Sequence, residues 1–301
     1  MKRRIAYIDI LRVLAIALVI SFHFLYDTNP STSLRYIGFA GVSLFFMISG
    51  FVLAENYPNL INFSARWFAK RYVKIAVLYF LAMLTIAFLF GKQSYPGNLA
   101  SNILVHLAFL DQFFPQFAYS LISPAWFLVP LIYLYLFFPY LNRFIKKDAR
   151  LLIIPFVVMA IVRISDGTLT SYSPLFFIGE FCFGMAFAYG KKNVALVVSS
   201  IVALINPIMF LTFATFYVFS FFDFRMIGPT SIIDIIAANT IELFLFHEAF
   251  INIIMGKWTI YNMNVFNELA IFLLVATIAV YISKRTDNYI LSRRFMQLKS
   301  Y

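Results

Sequence analysis

Three ionisable side chains stand inside one apolar stretch near the N-terminus: Asp9, Arg12 and His23. A carboxylate, a fixed cation and an imidazole can together hold an anion and move a proton away from bulk water. Imidazole, with an ordinary pKa of about 6.5, is the usual general base at neutral pH. On a helix turning 100° per residue, Arg12 and His23 fall within about 20° of each other, and Asp9 lies about 40° from His23. The three make one stripe, with His23 about 16 Å further along the axis than Arg12. A charge at bilayer depth costs on the order of a few kcal/mol, so such groups usually face a cavity or a partner. Two readings follow. Asp9 and Arg12 are a mutual i,i+3 pair and His23 an interfacial histidine, or the stripe is a path through the membrane with a reactive end.

The composition says what must position that stripe. Of 301 residues, 62% are hydrophobic and 12% charged; mean hydropathy is +0.86, with 38 Phe and 18 Tyr. A soluble domain is about half apolar and about a quarter charged. That surplus excludes a water-soluble enzyme, a disordered chain and a secreted disulfide scaffold. Cys182, the single cysteine, excludes an intrachain disulfide. The N-terminal Lys2-Arg3-Arg4 and its apolar run read as a retained first span: no small-residue cleavage site follows, and the run holds Asp9 and Arg12. No metal-ligand spacing, nucleophile elbow or phosphate loop is present.

Helical runs near 20 residues cross a core of about 30 Å. They are predicted at 6–26, 36–55, 73–91, 123–141, 151–164, 173–190, 230–252 and 265–283. Residues 103–114, short and broken by His106 and Asp111, predict a re-entrant or interfacial helix. The stretch 194–222 is long for one span and short for two. Read as two, it gives about ten spans with both termini cytoplasmic, and it gathers most of the 24 Lys and Arg on that side. The net charge of +11 then records orientation, not a nucleic-acid partner. Arg35, Lys92, Arg163 and Lys257 fall outside. The expected fold is all-α: a polytopic helical bundle in the cell (plasma or inner) membrane. It is one domain over 1–301 with no appended soluble domain.

Five segments carry a family resemblance. Ile8-Asp9-Ile10-Leu11-Arg12 through Phe22-His23 has an Arg, ten residues, then a His. Gly38-Phe39-Ala40-Gly41-Val42-Ser43-Leu44-Phe45-Phe46-Met47-Ile48-Ser49-Gly50-Phe51 follows. Arg71-Tyr72-Val73-Lys74, with Tyr79, opens the third span. Trp126, Leu128, Tyr135 and Pro139 keep a W-x-L…Y…P spacing, and Leu243-Phe244-Leu245-Phe246-His247 closes a late span. The chain resembles the membrane acyltransferase-3 family, most specifically in the first two segments. It departs at Lys74, where Arg is usual, at Val77, and at Leu131, where many members carry an acid.

That resemblance implies transfer of an acyl group, commonly acetyl, from cytoplasmic acyl-CoA to a hydroxyl of a glycan beyond the membrane. The acceptor would be an exopolysaccharide, O-antigen or peptidoglycan-type sugar. A sugar hydroxyl is a poor nucleophile until a base takes its proton, so His23 is the candidate base or acyl carrier. Asp9, about 21 Å down the helix, cannot orient it directly; it pairs with Arg12 or lines the donor path. The donor's phosphates call for cations, which Arg66, Lys70, Arg71, Lys74 and the deeper Arg12 supply, unless the cluster only anchors the chain to anionic lipid. Ser49, Trp126 and His247 are candidates for lining the cavity or holding the acceptor; Trp126 can equally be an interfacial belt residue. Arg143–Arg150 reads as an anchor, His106 as structural, and Gly38, Gly41 and Gly50 as packing residues. The rival from another class is a transporter or flippase for a glycan intermediate or an anion.

Overall fold

The computed structural model describes residues 5–114, 116–166, 173–205, 207–222, 232–260 and 263–296, all of them helix, turn or irregular chain. Lys2, Arg3, Arg4, Asn206, Arg225 and Lys299 lie outside the described residues. The α-helices are α1 (Ala6–Thr28), α2 (Arg35–Asn56), α3 (Ala65–Phe90), α4 (Leu99–Leu107), α5 (Leu128–Lys147), α6 (Ile153–Asp166), α7 (Ile178–Ala188), α8 (Lys192–Ser199), α9 (Ile201–Ile205), α10 (Pro207–Phe219), α11 (Ile232–Ala238), α12 (Thr240–Ile254) and α13 (Val265–Met296). Five, with the short 3-10 turns that extend them, are long and apolar enough to cross a membrane: Ala6–Thr28, Thr32–Asn56, Ala65–Gln93, Ser123–Lys147 and Val265–Thr286.

Of the other predicted spans, 151–164 keeps its 14 residues, shifted by two, and 173–190 is shortened. α6 has 14 residues and α7 has 11, about 21 and 16 Å at the helical rise. α7 stops at a Schellman motif: Gly190 takes φ +71°, Gly190 N–H donates to the Phe187 carbonyl and Lys191 N–H to that of Ala186. The predicted span 230–252 divides at Asn239 into α11 and α12. The ambiguous 194–222 is a helical hairpin. Tyr217 Oη, near its end, donates to Asn193 Oδ1 near its start (2.8 Å), and Lys192 Nζ donates to Ser220 Oγ (3.2 Å).

The chain packs as two compact units: Met1–Ser64 with Phe127–Ile241, and Ala65–Trp126 with Glu242–Tyr301. In the first, α2 packs most extensively on α7 and α1. Lipid tails are as apolar as Phe, so contact here is driven by close fit and polar bonds instead of by water exclusion. Glycines supply the fit. A Cβ on Gly50 would overlap the Phe181 carbonyl, one on Gly184 the Met47 carbonyl, and one on Gly41 would sit 2.6 Å from the Ala15 carbonyl. Rings fill the remainder: Phe46 stacks on Phe177 with centroids 4.2 Å apart, and Phe183 and Phe187 meet Phe216 edge-on.

In the second unit α3 packs along α13. Asn98 caps α4, its Oδ1 accepting from Ala100 N–H (2.8 Å) and Ser101 N–H (3.3 Å). α4 then runs back along α3: His106 reaches Tyr79, and Tyr72 Oη donates to the Leu107 carbonyl. The chain turns at Phe109 (φ +53°) and returns, so that Leu121 N–H donates to the Ser94 carbonyl (2.7 Å) just past the end of α3. It leaves at the end by which it entered. The short helix expected within 103–114 is present as the end of α4, followed by a chain reversal.

Candidate active site

α1 is unbroken from Ala6 to Thr28, so the stripe drawn from spacing stands on a real helix. Arg12 Nη1 donates to Asp9 Oδ1 at 2.8 Å; the Asp9 side chain is 7% exposed and that of Arg12 30%. The pair offsets the cost of placing either charge among apolar residues. His23 lies in the last turns of the same helix, half-buried, with the Phe22 ring edge-on to its imidazole at 4.8 Å. Phe22 in turn fills the notch at Gly38 of α2. Ser49, one helix over, is half-buried, and its hydroxyl has no hydrogen-bond partner among the described residues; the bond to its own backbone that serine usually makes in a helix is absent.

The remaining candidates belong to the second unit. On the opening turns of α3, Arg66 and Lys74 are exposed and Lys70 and Arg71 half-buried. Arg66, Lys70 and Lys74 share one helical face at i,i+4 spacing, and Arg71 is turned about 100° away. Trp126 is half-buried in the 3-10 turn Ser123–Phe127 that leads into α5. His247 is buried on α12, and its Nδ1 lies 2.8 Å from the Phe244 carbonyl, so that nitrogen carries the proton.

Spacing missed two buried polar clusters. In the first unit Arg163, expected on the outer side at the end of the span 151–164, is 6% exposed in the last turn of α6. Its Nη2 pairs with Glu180 Oε1, its Nε donates to the Phe176 carbonyl (3.1 Å), and Ser43 Oγ donates to the same Glu180 oxygen (3.2 Å). Phe39 and Phe176 flank the guanidinium with centroids 4.9 and 4.8 Å away. An Arg at the end of an apolar run gives no local sign of burial; an acid inside another apolar run, Glu180, is the signal that could have pointed to a buried cation.

The second cluster holds the segment that turns back after α4. Tyr79 Oη is 2.8 Å from His106 Nδ1, His106 Nε2 is 2.9 Å from Ser120 Oγ, and Ser120 Oγ donates to Asn102 Oδ1 (2.7 Å). Asp111 Oδ2 lies 3.6 Å from His106 Nδ1, and Tyr119 and Leu121 flank Ser120 at φ +64° and +59°. That is the outline of a Ser-His-Asp triad, so the protons decide. Burial pushes the imidazole down to about 4, a bond to the Phe117 carbonyl acting weakly the other way. The ring is therefore neutral at pH 7, and its contact with Asp111 is not an ion pair. With Nε2–H facing Ser120 Oγ, Nδ1 accepts from Tyr79, and the Ser120 hydroxyl proton has Asn102 Oδ1 and the Phe117 carbonyl (2.8 Å) as acceptors. In that tautomer His106 cannot deprotonate Ser120. The cluster is a pinning network. Among the described residues no three His, Cys, Asp or Glu side chains are grouped to hold a metal.

A family model described as an acyltransferase domain matches residues 5–227, which includes every motif residue from Ile8 to Pro139 and leaves Leu243–His247 outside. No curated protein and no solved structure matches the chain. With about three quarters of its length inside the match and five helices long and apolar enough to cross a membrane, the chain belongs to the acyltransferase 3 family and is a multi-pass membrane acyltransferase.

Proposed function

We propose that the protein moves an acyl group, acetyl in the simplest case, from cytoplasmic acyl-CoA to a hydroxyl of an extracytoplasmic glycan, with His23 at the reacting end. The working topology has ten passes and both termini in the cytoplasm; the return of α10 toward the start of α8 supports counting that hairpin as two short passes. The observation that carries the reading is α1 itself, one helix with a paired cation toward one end and a half-buried imidazole toward the other.

The step balances on these residues. His23 takes the proton of the acceptor hydroxyl as its oxygen attacks the thioester carbonyl; the tetrahedral intermediate collapses, the C–S bond breaks, and the CoA thiolate leaves and is protonated. If His23 carries the acyl group, its ring nitrogen attacks first and the hydroxyl second. Arg12, held by Asp9, supplies positive charge along the donor's path, with Ser49 on the neighbouring helix. Arg66, Lys70, Arg71 and Lys74 attract the donor's phosphates, and Trp126 and His247 serve the acceptor.

Purified protein given radiolabelled acetyl-CoA and a polysaccharide acceptor is the test. Transfer should occur, and His23→Ala should lower it at least a hundredfold, the usual worth of a general base, while leaving expression intact. Transfer by His23→Ala at the native rate overturns the assignment.

A further inference from the structure

The last two turns of α5 were expected only to anchor the chain, yet they border a cavity of about 340 Å³ lined by Asn59, Ile61, Arg143, Lys146 and Lys147. Its far wall is a fixed loop. Asn142 Nδ2 donates to the Tyr57 (3.2 Å) and Leu60 (3.0 Å) carbonyls, and Tyr189 Oη donates to Asn142 Oδ1. Lys146 Nζ donates to the Pro58 carbonyl (3.0 Å) and Asn59 Oδ1 (3.2 Å). That ammonium is spent on the loop. Arg150 is likewise spent on Asp148, 3.0 Å away, whose carboxyl it holds below the usual carboxylate range. Arg143 and Lys147 remain. They sit four residues apart on one face of α5, and neither has a counter-ion among the described residues.

Two uncompensated cations facing a preformed hollow call for an anion. The negative end of the α5 dipole works against one, but it amounts to about half a charge against two. A guanidinium grips a phosphate through two parallel bonds and an ammonium adds a point charge. The volume exceeds what a phosphate alone needs, lies at the lower end of the roughly 300–1,000 Å³ of ligand pockets, and has Ile61 as an apolar wall. We propose that this cavity is a phosphate site taking the nucleotide 3′,5′-bisphosphate portion of the acyl donor. The proposal rests on the acyl-CoA reading above and on the topology that puts this end of α5 in the cytoplasm. A phospholipid headgroup offers the same phosphate chemistry from another source.

The experiment uses full-length protein in nanodiscs of phosphatidylcholine alone, with adenosine 3′,5′-bisphosphate as the probe in calorimetry. Arg143→Gln/Lys147→Gln should weaken its binding at least tenfold, as loss of charge-assisted bonds does, while Arg150→Gln leaves it unchanged. In the transfer assay the double variant should raise KM for acetyl-CoA about tenfold with kcat retained. With S-acetylpantetheine, which lacks the nucleotide, it should match the wild type. Unchanged bisphosphate affinity overturns the site. So does loss in the double variant of co-purifying phosphatidylglycerol with no bisphosphate binding by the wild type, which assigns the cavity to a headgroup. If the wild type transfers no acyl group, the functional reading fails, and the calorimetry still decides the cavity.

Discussion

The ring of Phe22 occupies the place where Gly38 has no side chain: a Cβ there would lie 2.6 Å from Phe22 Cδ1 and 3.1 Å from its Cβ. The second distance matters more, because a Cβ cannot swing away without its backbone. Gly38→Ala should therefore push the C-terminal part of α1 off α2, at the turn that carries His23. Overpacking of this kind costs about 1–3 kcal/mol. Acyl transfer should fall at least tenfold with donor KM little changed, and Phe22→Leu added to Gly38→Ala should restore part of kcat. Native kcat in the single variant would separate His23 from this contact.

The α2–α7 crossing should be less forgiving. Gly50→Ala and Gly184→Ala each aim a methyl group at a main-chain carbonyl of the facing helix, and neither carbonyl can rotate aside. Both should cost more than Gly38→Ala, above about 3 kcal/mol. In detergent, size-exclusion and thermal-unfolding profiles should show aggregated or early-melting protein.

Breaking the Arg163–Glu180 pair leaves one buried charge without its partner. Arg163→Met alone should destabilise by about 3–5 kcal/mol, and Arg163→Met with Glu180→Leu by clearly less, since the second change removes the orphaned carboxylate. Thermal melts of the three proteins check the order. If the double variant is worse than the single, the pair is not the source of the loss.

The neutral His106 gives a pH dependence with a definite sign. Its folded pKa is about 4, against about 6.5 in an unfolded chain, so between those values the unfolded chain binds more protons. Stability contributed here is whole above about pH 6.5 and drains as pH falls toward about 4, by at most about 1.4 kcal/mol per pH unit. Melting temperatures from pH 7 to 4 should drop more steeply for the wild type than for His106→Gln. Parallel curves would place the acid sensitivity elsewhere.

Legibility followed sequence distance. The five long helices, the Asp9–Arg12 pair and the return of residues 103–114 depend on neighbours within a few turns, and periodicity and apolar length report those directly. The burial of Arg163 was not legible because its partner Glu180, and Ser43 bonded to that same carboxylate, lie on other helices. Nor does any local pattern tell that Lys146 and Arg150 are occupied while Arg143 and Lys147 are not. α7 was drawn too long because hydropathy continues through the 3-10 turn that precedes it, where α-helical hydrogen bonding has not yet begun.

Ser43 and Glu180 are 137 residues apart in the chain, which bears on how the protein is made. When α2 leaves the translocon, the helix that fills its glycine notches and accepts its buried hydroxyl has not been translated. α7, at 11 residues, is too short to be held by lipid alone. The first unit must therefore wait with α2 half-satisfied until α5 through α7 arrive and close on it together, and fusions truncated before Gly190 should report an assembly intermediate in place of the finished enzyme.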